Sequence, residues 1–148
     1  MTTLRLAQVN LVLDDVAGAA AFLAGLGVAF DPVTPDWAEW AVHHQSVGDG
    51  GTPVDLDLDS TAYSRWWGGL RPDDGRVVVS VAVDERDAVD RVYAAAIERG
   101  AESRRQPSDA FWGARFAMVA IPGPLLLGIT SRRDEAFRGP TPELTDFA

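Results

Sequence analysis

The sequence contains no cysteine among its 148 residues, which excludes disulfide bonds, thiolate metal sites and a cysteine nucleophile. It is also poor in basic residues: 13 Lys and Arg stand against 22 Asp and Glu, which gives a net charge of −9. Because nucleic-acid binding depends on neutralising phosphates, we expect no nucleic-acid partner. No apolar run is long enough to cross a bilayer, so we expect no membrane association. The first residues lack a basic stretch followed by a long apolar core, which predicts a cytoplasmic protein.

What the sequence does contain is one pattern that occurs twice. Residues 6–16 form an apolar, strand-like run that ends in acidic residues, and residues 76–86 repeat it about 70 residues later. Each run is followed by an Ala-rich stretch of helical character that ends at a glycine, Gly27 in the first copy and Gly100 in the second. The acidic pair 14–15 lies where a helix N-terminus needs a cap. Such a long unit occurring twice predicts a duplicated module rather than a solenoid.

After each helix, turn residues divide the chain into three short strands. The predicted strands are 28–33, 38–47 and 53–59 in the first copy and 101–106, 115–121 and 124–130 in the second. We therefore predict an α+β fold in which two βαβββ modules form a curved, mixed-sheet cup. A single domain, 1–131, is expected to contain modules 4–59 and 76–131, joined by a connector, 60–75, that includes a short helix or turn. A poorly ordered C-terminal tail, 132–148, is expected to follow the domain.

Three segments carry a resemblance to a known family: 8–23, 81–89 and 111–129. They resemble the vicinal oxygen chelate superfamily, which includes glyoxalase I, extradiol dioxygenases, fosfomycin resistance enzymes and bleomycin resistance proteins. The third segment is similar to the closing strand pair of that family. The likeness covers about residues 4–131 and implies two modules paired around a cleft. It does not specify the function, because this scaffold hosts unrelated chemistries.

The resemblance also identifies the positions that hold a metal in metal-dependent members. There, the first and last strands of both modules direct side chains at one divalent ion. The matching residues are Gln8 and Asp57 in the first module, and Val78 and Gly128 in the second. Valine and glycine have no side-chain ligand, so these positions are interpreted as vestigial and no metal is expected. The alternative is one divalent metal ion held by Gln8, Asp57 and further ligands.

Polar residues on two predicted strands are candidates for the cleft. His44 is predicted to face the cleft and His43 to face outward, because neighbouring strand residues point to opposite sides. Asp55, Asp57 and Asp59 are spaced by two and share one face of their strand. This face is either solvated or an acidic strip inside the cup, and such a strip would suit a cationic or multiply hydroxylated ligand.

Aromatic residues are the second group of candidates, since five tryptophans is a high number for this length. Trp66 in the connector and Trp112 in a glycine-containing loop correspond to places where family members line ligand grooves; the alternative is a core or dimer contact. Arg115, three residues after Trp112, is a candidate for orienting an anion or a carbonyl oxygen. Its alternative role is an ion pair with Asp109 or Glu102.

These observations predict a metal-free binding protein similar to the bleomycin resistance branch. It would sequester a small aromatic or cationic molecule in a cleft, as a homodimer. The first alternative is a metal-dependent lyase, isomerase or dioxygenase of the same superfamily, and a second is a dimerising module without a ligand. No catalytic residue is identified, and the sequence has no G-x-S-x-G, P-loop or dinucleotide motif.

Overall fold

The computed structural model describes residues 2–28, 30–31, 43–46, 54–123 and 125–140. The elements of the first module are β1 (Arg5–Leu13), α1 (Val16–Gly25), β2 (Phe30–Asp31), β3 (His43–Ser46) and β4 (Asp55–Ser60). Helix α2 (Thr61–Gly68) connects the modules. The elements of the second module are β5 (Val77–Val83), α3 (Arg86–Glu98), β6 (Glu102–Asp109), β7 (Arg115–Ile121) and β8 (Leu125–Ser131). None of the helices in this part of the chain has the length and hydropathy needed to span a membrane.

The strands form one mixed sheet in the order β2-β3-β4-β1-β5-β8-β7-β6. In the first module β1 pairs in parallel with β4, and in the second module β5 pairs in parallel with β8. The two modules join where β1 and β5 pair antiparallel in the middle of the sheet. The predicted α+β fold of two βαβββ modules is therefore confirmed, and each module contributes one half of the curved sheet.

The helix boundaries follow from local capping. The Asp15 carboxylate accepts a hydrogen bond from the backbone N–H of Gly18 at 2.8 Å and caps α1, as the acidic pair predicted. The Ser60 hydroxyl accepts from the N–H of Tyr63 at 3.2 Å and caps α2 in the same way. Helix α2 ends at Gly69, whose φ of 68° is left-handed. The connector is thus an ordered helix with a defined start and end.

The two faces of the sheet have different coverings. Helix α1 packs on Leu58 of β4, and helix α3 packs on Ile129 of β8, so both helices cover one face. Helix α2 lies on the other face, where Trp67 packs against Val78 and Phe116. Because strand residues alternate between faces, each strand supplies one set of side chains to the helices and one set to the α2 side. The cavity that is the candidate functional site lies on the α2 side.

Residues 132–140 dock onto the second module. The N–H of Asp134 donates to the carbonyl of Gly113 at 3.1 Å, and the N–H of Gly139 donates to the carbonyl of Phe111 at 3.0 Å. The Arg86 guanidinium lies 3.8 Å from the centre of the Phe137 ring. These contacts replace the poorly ordered extension predicted from the sequence, because backbone hydrogen bonds hold the segment against the loop before β7. Residues 141–148 of the predicted tail lie outside the described residues.

Candidate functional site

A cavity of about 200 Å³ opens on the α2 side of the sheet. Both modules, helix α2 and the docked C-terminal segment contribute to its walls. The described residues that line it are Gln8, Asn10, Asp57, Tyr63, Trp67, Ser80, Phe111, Trp112, Phe116, Thr130 and Arg133. A concave site with rings and a few polar groups is the usual form of a small-molecule site.

Polar side chains from β1 and β4 form one wall of the cavity. The amide of Gln8 donates to the Asn10 Oδ1 at 2.8 Å, and the Asn10 Nδ2 donates to the Asp59 carboxylate at 2.7 Å. Asp57 and Asp59 are only 2% and 0% exposed, so the acidic strip is buried and does not form a solvated face. Asp57 lines the cavity, whereas Asp55 is half-buried and is not among the described lining residues. Two acidic side chains on this wall are thus withdrawn from water.

Aromatic rings in edge-to-face contact form a second wall. Phe116 packs edge-on against Trp67 at 5.4 Å and against Trp112 at 5.7 Å between ring centres. Phe111 packs on Trp112 at 5.2 Å, nearly perpendicular to it. Trp66 touches Phe111 at 5.7 Å but is not among the described lining residues, so of the two predicted tryptophans only Trp112 reaches the cavity. Edge-to-face contacts of this kind hold each ring in a fixed orientation.

The indole of Trp67 packs against the other rings of the cavity wall. Trp67 is 5% exposed, and its buried Nε1–H has no hydrogen-bond partner among the residues that the structure describes. A buried donor without an acceptor costs about 1–3 kcal/mol of stability. Within the described residues, the cavity wall therefore contains a polar group without a hydrogen-bond partner.

Charges of both signs act on the Tyr63 hydroxyl. Burial raises the pKa of Tyr63 most strongly, and the negative charges of Asp59 and Asp57 raise it further. The positive charge of Arg133 acts in the opposite direction on the same pKa. Tyr63 consequently stays protonated and remains a hydrogen-bond donor. Arg133 is exposed, which places it at the open side of the cavity.

The second module offers no metal ligands at the positions that match Gln8 and Asp57. Val78 is fully buried in the core, and Gly128 lies beside Ser80 across the β5–β8 pair. In the described part of the chain, no three His, Cys, Asp or Glu residues are grouped as metal ligands are. The side chains present therefore do not fit the four-position metal site of the superfamily.

Arg115 and His44 stand apart from the cavity for different reasons. Both the Nε and the Nη2 of Arg115 lie 2.7 Å from the Asp90 carboxylate, and the Nη1 lies 3.2 Å from Asp109. Arg115 thus fastens β7 to α3 through Asp90, a partner that was not predicted, and also contacts the predicted partner Asp109; it is not among the described lining residues. The backbone of His44 pairs with Leu58, and its side chain lies outside the described residues, so its predicted role stays a prediction.

Several lining residues were not predicted from the sequence. Asn10 follows Gln8 by two positions on the same strand face, so strand alternation was a sufficient signal for it. Tyr63 had a weaker signal, four residues before Trp67 on a connector helix. Arg133 had none, because its position depends on the docking of residues 132–140.

Comparisons with known proteins place the fold. No protein-family model and no curated protein matches the sequence. A solved structure described as an NAD-dependent benzaldehyde dehydrogenase from Legionella pneumophila has a TM-score of 0.60 at 14% identity, over 85% of this chain and 98% of that one. The Mn(II)-bound glyoxalase from Novosphingobium aromaticivorans has a TM-score of 0.58 at 18% identity, over 97% of this chain and 43% of that one.

A third solved structure matches along its whole length. It is a glyoxalase/bleomycin resistance protein/dioxygenase superfamily member from Vibrio splendidus, with a TM-score of 0.56 at 17% identity, over 88% of this chain and 100% of that one. The present chain spans less than half of the Novosphingobium glyoxalase. Identities this low show a shared fold, and the three descriptions name different activities, so the fold does not specify the chemistry.

Proposed function

Starting from its glyoxalase/bleomycin resistance/dioxygenase fold, we propose that this chain binds a small aromatic or cationic molecule, without a resident metal ion. The observation that carries the proposal is the composition of one cavity, in which the buried carboxylate of Asp57 and the rings of Trp67, Trp112 and Phe116 share the lining. Rigid rings offer contact area at a low entropic cost, and a buried carboxylate selects the charge and orientation of a ligand.

The buried carboxyl groups of Asp57 and Asp59 support a cationic group on the ligand. Asp57 and Asp59 lie two residues apart on β4, and both are withdrawn from water. Two like charges in a poorly solvated place raise each other's energy, and a bound cation lowers it. A cation attached to a ring also gains from the faces of Trp67 and Trp112.

The donor set supports binding without a metal. The Novosphingobium glyoxalase is described as Mn(II)-bound, so this fold is able to hold a metal. In the present chain the matching positions of the second module are Val78 and Gly128, which have no donor atom in their side chains. A divalent ion would then keep ligands on one side only, and such a site binds weakly.

A titration with phenethylamine tests the proposal, because this molecule combines one ring with one ammonium group. We expect saturable quenching of tryptophan fluorescence, unchanged after the protein has been treated with EDTA and dialysed. Asp57→Asn is expected to weaken binding about tenfold by removing the charge that faces the cavity. Asp55→Asn is the matched control, since Asp55 lies on the same strand without lining the cavity, and should bind as the wild type does.

Two outcomes would contradict the proposal. One is a stoichiometric, tightly bound Fe, Mn, Ni or Zn ion in the purified protein, which would favour a metal-dependent lyase, isomerase or dioxygenase. The other is phenethylamine binding that Asp57→Asn does not change, with the thermal midpoint of the variant equal to that of the wild type.

A further inference from the structure

Arg133 is a cavity-lining cation that has no carboxylate partner among the described residues. Its neighbour Arg132 pairs with Asp84 at 3.0 Å, and Arg115 pairs with Asp90 at 2.7 Å. Arg133 makes no ion pair and no hydrogen bond with any residue that the structure describes, although it lines the cavity that contains Asp57. A guanidinium offers a planar set of N–H donors that matches a carboxylate, so Arg133 is available to an anion that enters from solvent.

The backbone next to Arg133 is fixed. The Asp134 N–H donates to the Gly113 carbonyl at 3.1 Å, and the Asp134 carboxylate accepts from the Ala136 N–H at 2.9 Å. Five residues farther along, the Gly139 N–H donates to the Phe111 carbonyl at 3.0 Å. Phe111 itself lines the cavity. These contacts fix the backbone on the C-terminal side of Arg133 against the loop that contains Phe111.

The charges of Asp57 and Arg133 act on the same small cavity. The pKa of Tyr63 rises with the charges of Asp59 and Asp57 and falls with that of Arg133, so all three lie within electrostatic reach of one cavity-lining hydroxyl. The cavity, at about 200 Å³, is smaller than the roughly 300–1,000 Å³ of sites for drug-sized ligands. A cavity of this size suits a ligand with one ring system, and Asp57 and Arg133 both line it.

We propose that the ligand is an aromatic zwitterion, with its anionic group on Arg133 and its cationic group on Asp57. The chemical class is that of an aromatic amino acid: one ring system, one ammonium group and one carboxylate. The inference rests on the binding function proposed above and narrows it. Arg133 then sets specificity, because a cationic molecule without an anionic group leaves the guanidinium unused, and opposite charges at two ends fix the orientation of the ring.

Three probes that differ only in their charged groups test this inference: phenylalanine, phenethylamine and 3-phenylpropanoate. We expect phenylalanine to bind most tightly to the wild-type protein, by tryptophan fluorescence and by calorimetry. Arg133→Gln should weaken phenylalanine and 3-phenylpropanoate about fivefold and leave phenethylamine unchanged, because the lost contact is a partly exposed ion pair. Asp57→Asn should weaken phenylalanine and phenethylamine and spare 3-phenylpropanoate.

Arg132→Gln is the matched control, since it removes the same charge from the adjacent exposed residue, which pairs with Asp84. It should change the affinity of none of the three probes. If phenethylamine binds wild-type protein as tightly as phenylalanine does, or if Arg133→Gln acts equally on all three, the zwitterion is wrong while the binding function stands. If none of the three probes binds, both proposals are wrong.

Discussion

Ser80 occupies the space that a side chain on Gly128 would need. The two residues are paired across β5 and β8, and a Cβ built on Gly128 would overlap the Ser80 hydroxyl. In the first module the corresponding pair is Asn10 and Asp57, whose side chains both line the cavity. The modules thus differ at matching positions. The first has the amide of Asn10 beside the carboxylate of Asp57, and the second has the hydroxyl of Ser80 close to Gly128.

This relationship predicts a coupled effect on stability. Gly128→Ala should lower the free energy of unfolding by about 1–3 kcal/mol, because the new methyl group has no room beside the Ser80 hydroxyl. Removing that hydroxyl with Ser80→Ala should recover part of the loss in the double variant, since it removes the closest contact and leaves the Ser80 Cβ at 3.2 Å and the Phe116 Cε2 at 3.3 Å. Urea unfolding of the four proteins measures the coupling, and additive losses would show that the two residues do not compete for one space.

A second prediction concerns the docked segment. Gly113 has a φ of 90°, and a Cβ there would lie 2.6 Å from the Asp134 carbonyl oxygen. Gly113→Ala should therefore release residues 132–140 and weaken phenylalanine binding to the extent that Arg133→Gln does. Gly123→Ala is the control, because Gly123 has a similar φ of 95° with nothing within 4 Å of the added Cβ.

The readout for this pair is limited proteolysis near Arg138 together with probe affinity. Both variants carry the same backbone strain, so only Gly113→Ala should become sensitive to proteolysis there. Equal sensitivity in the two variants would contradict the expected role of the Gly113–Asp134 contact.

A third prediction is a pH dependence of stability. The Arg104 Nε and Nη2 both lie 2.8 Å from the Asp74 carboxylate, and both side chains are 8% exposed. Hydrogen bonding from Arg104 lowers the pKa of Asp74 below its ordinary value. The contribution of this pair is thus fully present above the pKa of unfolded aspartate, about 3.9, and is lost as the pH falls below it through the lowered pKa.

Asp74→Asn should lower the free energy of unfolding by about 3 kcal/mol near pH 7, because it leaves a buried guanidinium with a weaker partner. It should also flatten the fall in stability on the acid side, as measured by urea unfolding across that pH range. Asp73→Asn is the control, since Asp73 is an exposed neighbour. An acid slope that is the same in Asp74→Asn and in the wild type would rule out Asp74 as its source.

A fourth prediction separates the two tryptophans that were chosen from the sequence. Trp112→Ala should weaken phenethylamine binding about tenfold, because Trp112 lines the cavity and supports Phe116 at 5.7 Å. Trp66→Ala should change the affinity by less than about twofold, because Trp66 packs behind Phe111. Phenethylamine titrations of the two variants, each at the same distance below its thermal midpoint, compare the losses of affinity. A larger loss for Trp66→Ala would place the ligand outside the cavity.

Strand alternation explains which site residues the sequence could identify. Gln8 and Asp57 were identified through the resemblance to the vicinal oxygen chelate superfamily, and a period of two on β1 then adds Asn10 to the same face as Gln8. Applied to β7, it also explains Arg115: Phe116 faces the cavity, so its neighbour Arg115 faces α3 and pairs with Asp90.

Other features of the site depend on tertiary contacts. Whether Asp55 reaches the cavity depends on where the cavity ends along β4. The packing of α2 determines that end, and no local sequence pattern encodes it. Arg133 is placed by hydrogen bonds to a loop about twenty residues earlier in the chain, which no local period encodes. The fold was predictable because the strand–helix pattern occurs twice in the sequence. The site was predictable only in part, because the two modules carry different side chains at matching positions.

The pairing of β1 with β5 joins the two modules within one chain, and both modules line the described part of the cavity. In a symmetric dimer of single modules, every substitution would appear on both sides of such a site at once. Here each side has its own codons. A substitution at position 57 therefore does not impose the same substitution at position 128. Joining the two modules in one chain allows the two sides of the site to differ. An asymmetric site of this kind binds a ligand in one orientation.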